Sequence, residues 1–189
     1  MKAALTAAIA MLVSTTAAFA QEAVEPNMVS LDHGISLVMP PGWAVKKRGD
    51  NRKSDRGRLS VDIVCNSEAC ERTQETCLFS LDAARSPTPD DAASIAALHD
   101  DPGRRYFRMR AVRIATSKDA EFRRLLAPMT IGTRDWVVAE TDARHNMKSG
   151  LFAQTFVNGW KISASCKTCE TGEIRHRDAM AMLESFRQD

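Results

Sequence analysis

Apolar and polar residues alternate along much of this chain, and the alternation predicts several short strands. Met28-Val29-Ser30-Leu31 and Ile35-Ser36-Leu37-Val38-Met39 are apolar runs on either side of Asp32-His33-Gly34. A Gly two positions after an Asp, between two such runs, predicts a hairpin. Pro40-Pro41-Gly42-Trp43 then stops the strand, because two prolines cannot continue a hydrogen-bonded ladder. Trp43 is placed to plug an end of the core. Leu59–Cys65 begins with the same alternation and is rich in β-branched residues, and Cys77–Leu81 reads as its partner strand. The polar stretch Asn66–Thr76 is then the loop of a long hairpin. The last third of the chain predicts a meander of Thr133–Glu140, Gly150–Val157 and Trp160–Cys166. Asn158-Gly159 joins the last two strands, and both residues tolerate the positive φ that a two-residue hairpin requires.

Helices are predicted between these strands. Thr88 or Asp90 caps a helix through Ala92, Ile95, Ala96 and Leu98 that ends near Asp101-Pro102-Gly103. Ser117 caps a second through Phe122, Leu125 and Leu126, stopped by Pro128. Ile174, Met180, Leu183 and Phe186 recur at near-helical spacing and predict an amphipathic closing helix over Glu173–Arg187. Residues 104–115 fit two patterns. Phe107, Met109 and Ala111 alternate with Arg108 and Arg110 as in a strand, whereas Tyr106, Met109 and Arg113 share one side of a helix.

Charge adds two basic stretches. Lys46, Lys47, Arg48, Arg52, Lys53, Arg56 and Arg58 fall in one run with Asp50, Asp55, Gly49 and Gly57 and almost no apolar residue. The run reads as an exposed connecting loop, since most charge runs are simply solvated. Its functional reading is a loop that contacts an anion or a partner. The second stretch holds Arg104, Arg105, Arg108, Arg110 and Arg113, with Asp100, Asp101, Asp119 and Glu121 nearby to neutralise it. Over the whole chain Lys+Arg 26 against Asp+Glu 24 gives +2, which makes no electrostatic case for nucleic acid.

The first twenty residues are of another kind. Lys2 precedes the uncharged apolar run Ala3–Val13, and Ala18-Phe19-Ala20 stands before Gln21. A positive start, a short apolar stretch and a small-residue cleavage site predict a signal peptide over 1–20. Export to a bacterial periplasm follows as the expected location. The remaining 21–189 is expected to form a single α+β domain, with no integral membrane segment after cleavage.

An exported chain meets an oxidising compartment, where disulfides are the default state of cysteine. The five cysteines are Cys65, Cys70, Cys77, Cys166 and Cys169, so at least one is unpaired with the others. Paired strands would let Cys65 and Cys77 meet at the mouth of their hairpin loop, a bridge worth about 2–3 kcal/mol. Cys70 inside that loop is then the first candidate for the free thiol, with bridges from Cys70 to Cys65 or to Cys77 still open. Cys166-Lys167-Thr168-Cys169 is a CxxC between an expected strand and an expected helix. Redox enzymes place a thiolate at a helix N-terminus, where its pKa falls. Only one helix follows here, so a thioredoxin-like βαβ layout is not available. A structural Cys166–Cys169 bridge is the favoured reading. Zinc fits poorly, because the loop cysteines lack the two close pairs of a four-cysteine site.

The remaining chemistry is sparse. His33, His99, His145 and His176 form no H-E-x-x-H motif, and His145-Asn146-Met147 offers only two candidate soft-metal ligands. The chain contains no G-x-S-x-G elbow and no glycine-rich phosphate cradle. The sequence therefore names no catalytic residue, no metal ligand set and no cofactor.

Gly34-Ile35-Ser36-Leu37-Val38-Met39-Pro40-Pro41-Gly42-Trp43 resembles the opening of PsbP-like and DcrB-like exported domains, and Ser185-Phe186 resembles the Ser-Phe pair that closes them. The resemblance implies an antiparallel sheet with flanking helices, an α/β/α sandwich. It implies no catalytic residues. It also implies a binding or assembly accessory whose partner is another exported or envelope protein. The alternative expectation is a periplasmic thiol–disulfide or metal-handling protein that uses Cys166 and Cys169.

Overall fold

A computed structural model describes residues 27–50, 58–85, 90–116, 120–142, 149–169 and 176–188. The expected signal peptide lies outside these residues, as do His145-Asn146-Met147, Thr88 and Ser117. Among the described residues the chain forms two antiparallel sheets and three α-helices. The small sheet pairs β1 (Met28–Asp32) with β2 (Ile35–Val38) and β2 with the two-residue β10 (Arg187–Gln188). The large sheet contains β3 (Trp43–Asp50), β4 (Arg58–Cys65), β5 (Thr76–Arg85), β6 (Glu121–Ile131), β7 (Arg134–Asp142), β8 (Ser149–Val157) and β9 (Trp160–Thr168). Its order is β3-β4-β5-β9-β8-β7-β6. The hairpin β4–β5 therefore joins the meander β6–β9 through one long-range pairing, β5 with β9.

Two-residue periodicity gives the large sheet two different faces. Val61, Ile63, Phe79, Leu81, Ile162, Ala164, Leu151, Trp136 and Val138 turn to one side and form the main core. Val29, Leu31, Ile35 and Leu37 of the small sheet pack against them, with Ala179, Met182 and Leu183 of α3 (Arg177–Glu184). Trp43 joins this core, and its indole Nε1 donates to Asp178 Oδ2 at 2.8 Å. On the opposite side a smaller core gathers Leu126, Val137, Ala139 and Phe156. Leu98 of α1 (Asp91–Asp100) and Val112 of α2 (Pro102–Thr116) complete it.

The expected α/β/α sandwich is not formed. The chain is mostly antiparallel β, and a second sheet with one short helix covers the main core face where the resemblance implied a helical layer. On the other side, the described members of the smaller core come from α1, α2, β6, β7 and β8. Among the described residues the helices thus cover one end of the large sheet and leave the other open.

One open alternative is decided and two local expectations change. Residues 104–115 are helical: Asp101 Oδ1 accepts from Arg104 N at 2.9 Å as an N-cap, and Pro102 takes the first helical position. Arg108 turns back and donates to the last-turn carbonyl of Leu98 in α1. Burial and the neighbouring Arg104 lower the Arg108 pKa, with Asp101 opposing them. The helix expected through Phe122, Leu125 and Leu126 is instead β6. Phe122 and Leu126 face the smaller core while Leu125 is exposed, and Pro128 is tolerated because β6 is an edge strand. Lys46, Lys47 and Arg48, expected in a loop, lie on β3 at the other edge. Charged residues there and an irregular register between Val45 and Lys47 are how exposed edges avoid pairing with another chain.

Candidate functional site

The cysteines organise the open end of the large sheet. Cys77 on β5 and Cys166 on β9 are direct cross-strand partners, 4.0 Å apart at Cα, and form a disulfide. Cys65 and Cys70 form a second, 5.8 Å apart at Cα, across the short 3-10 turn Glu68–Cys70. Cys169 is the free cysteine, half-buried at the end of β9.

This corrects the favoured Cys65–Cys77 and Cys166–Cys169 pairings and takes up the Cys65–Cys70 bridge that the spacing leaves open. Cys77 stands in register with Ile63, so Cys65 is its diagonal neighbour at about 7–8 Å, beyond disulfide reach. Cys70 is therefore bonded to Cys65 and is not the free thiol. The CxxC is not a bridge either. Cys166 lies within β9, and three residues along a strand span about 10 Å with the end side chains on opposite faces. With Cys166 held by Cys77, the pair offers no dithiol for redox chemistry.

Because Cys77 and Cys166 point into the main core, their strand neighbours point the other way. That outward face carries a groove of 410 Å3 lined by Arg58, Asp62, Thr76, Leu78, Ser80, Phe152, Ser163, Ser165 and Lys167. Cross-strand register arranges the lining in rows. Ser60, Ser80, Ser163 and Gln154 follow one another across β4, β5, β9 and β8. The adjacent row is Asp62, Leu78, Ser165 and Phe152. A third pairs Thr76 with Lys167.

The polar row is tightly bonded. Arg58 Nη2 donates to Ser80 Oγ at 2.7 Å, and Gln154 Nε2 donates to Ser163 Oγ at 2.9 Å. Gln154 Oε1 is buried with no partner among the described residues. At the rim Asp82 bridges Arg58 at 3.5 Å and Lys161 at 2.8 Å. Leu78 remains 40% exposed in the middle of a sheet, where a covering element would normally bury it.

Among the described residues of the basic run singled out in the sequence, Arg58 alone lines this groove. Lys47 stands in register with Asp62 at its border. Arg48 Nη1 donates to Ser30 O at 2.9 Å, which ties the small sheet to β3. Arg52, Lys53 and Arg56 lie outside the described residues. The sequence reading missed the rest of the lining. The signal was present as serines at alternate, non-core positions of strands otherwise apolar enough to be central.

No family model and no curated protein matches the sequence. Among solved structures, a crystal structure from Bacteroides thetaiotaomicron is similar over 82% of this chain, with 11% identity and a TM-score of 0.45. The matched region is 45% of that protein's chain. A likeness at this level assigns neither fold nor function. Two disulfides fit an extracellular or periplasmic protein. Among the described residues no helix is long and apolar enough to cross a membrane.

Proposed function

We propose that this chain is an exported, periplasmic binding domain whose ligand face is the open half of the large sheet. The observation that carries the reading is the groove over β4, β5, β9 and β8. It joins an exposed Leu78 to the hydroxyls of Thr76, Ser80, Ser163 and Ser165 and to the cations Arg58 and Lys167. An exposed apolar side chain beside convergent polar groups in one concavity supports the reading of a binding surface. The disulfides and the signal-like first twenty residues support export. The accessory role implied by the PsbP-like and DcrB-like resemblance belongs to the same class of function.

Filling the groove tests this. Ser165 sits between Leu78 and Phe152 in register, so Ser165→Trp places an indole over the middle of the groove. Native mass spectrometry of protein exported in its own host should show a bound species on the wild type that is lost in a folded Ser165→Trp variant. A species retained by that variant, or none on either protein, overturns the proposal.

A further inference from the structure

Taking the groove as the ligand site proposed above, we propose that it binds the carboxylate of a small organic acid with an apolar body. Ser80 and Ser163 face each other across β5 and β9, and both are buried. A hydroxyl has one proton to donate and two lone pairs to accept with. Here the oxygens already accept from Arg58 and from Gln154. Each hydroxyl keeps its proton and one lone pair for a further partner, and an anionic ligand takes the two protons. Two O–H donors beside a guanidinium suit an oxyanion, since hydrogen bonds to an ionised acceptor are roughly twice as strong as neutral ones.

Charge runs the same way. Among the described residues the lining has Arg58 and Lys167 against Asp62, and at the rim Asp82 bridges Arg58 and Lys161, so these five groups carry one net positive charge. Asp62 lies in the neighbouring row and in register with Lys47, so the acidic head of a ligand is directed to the Ser80–Ser163 row. The apolar body has its own place. Leu78 and Phe152 flank Ser165 one row away, a step of about 6.6 Å along the strands. That step matches the separation of head and ring in a short aryl or branched-chain acid. A volume of 410 Å3 is within the size range of small-molecule pockets, so this occupant differs from the protein partner expected from sequence.

The probe is 3-phenylpropionate, compared with 3-phenylpropanamide, titrated into the disulfide-intact protein by amide-resolved NMR and calorimetry. The acid should move the backbone resonances around Ser80 and Ser163 and bind at least tenfold more tightly than the amide. Ser163→Ala and Arg58→Gln should each weaken the acid tenfold or more, and hardly affect the amide. Equal binding of acid and amide at these residues would overturn the carboxylate assignment and leave the groove standing as a binding site. Wild-type affinity in Ser163→Ala and Arg58→Gln, or no shift at these residues with the acid, would also overturn it. The fate of the groove itself is then read separately from the Ser165→Trp comparison.

Discussion

Cys77 and Cys166 are 89 residues apart in sequence and 4.0 Å apart at Cα, bonded across β5 and β9. The same two strands carry Thr76, Leu78, Ser80, Ser163, Ser165 and Lys167 on their other face. The bond therefore clamps the floor of the groove from behind. It also joins the β4–β5 hairpin to the meander, the one place where the large sheet depends on distant parts of the chain.

Loop length makes the two disulfides unequal. The chain-entropy relation gives about 4–5 kcal/mol for a loop the length of Cys77–Cys166 and about 2 kcal/mol for one the length of Cys65–Cys70. The Cys77→Ser/Cys166→Ser double variant should therefore lose about twice as much stability in urea titration as Cys65→Ser/Cys70→Ser. Equal losses would mean that the β5–β9 pairing does not depend on the bond.

Cys169 should behave as a bystander. Its backbone N–H bonds to Thr73 O at 2.6 Å, a contact that the side chain does not make. Cys169→Ser should leave both disulfides intact and change stability by about 0.5 kcal/mol or less. Alkylation of the unfolded, unreduced protein followed by mass spectrometry should label Cys169 alone. A label on Cys70, or a Cys166–Cys169 peptide, would restore the pairing that sequence spacing favoured.

The parts of the fold legible in sequence were those whose signals are local. The turn at Asp32-His33-Gly34 carries positive φ at all three residues, and Asn158 and Gly159 have φ of 49° and 77°. Both hairpins follow from residue type alone. Asp90 likewise caps α1 through Ala92 N at 2.8 Å, as its position predicted. The edges were not legible. On β3 the lysines and arginine that protect an exposed edge erase the alternation that would reveal a strand. On β6 the intermittent burial and irregular register let Phe122, Leu125 and Leu126 pass for a helical face. The disulfide partner of Cys77 was hidden for a different reason. It depends on β5 pairing with β9, and sheet order between distant strands leaves no local mark. The groove was hidden with it, because its rows exist only once that pairing is made.

Asp91 holds the meander to the helices. One carboxylate oxygen accepts from Asn158 N at 2.7 Å and the other from Gly159 N at 2.8 Å. The turn that sequence predicted most clearly is thus fixed from α1, and His33 stacks on the adjoining Trp160 at 4.1 Å. Two charge-assisted bonds near solvent are worth about 1–3 kcal/mol together. Asp91→Ala should lower stability by that amount. In hydrogen exchange it should expose the amides of Asn158 and Gly159 while those of β4 and β5 keep their protection. Unchanged exchange at the turn would show that the two bonds do not hold it.

Gly42 offers the sharpest local test of the packing at the base of the open end. It adopts φ +84°, and a Cβ built there would lie 2.5 Å from Ser67 Cβ. Its carbonyl accepts from Asn66 N at 2.8 Å, so the Pro40-Pro41-Gly42 turn and the disulfide loop lean on each other. Ala at this position faces both the left-handed penalty of about 1–2 kcal/mol and an overpacking cost of about 1–3 kcal/mol. Gly42→Ala should therefore destabilise by about 2–5 kcal/mol. Shrinking the obstacle with Ser67→Gly should recover the steric part and leave the backbone part. If Ser67→Gly rescues nothing, the contact between the two turns does not contribute to stability, and the loss comes from φ alone.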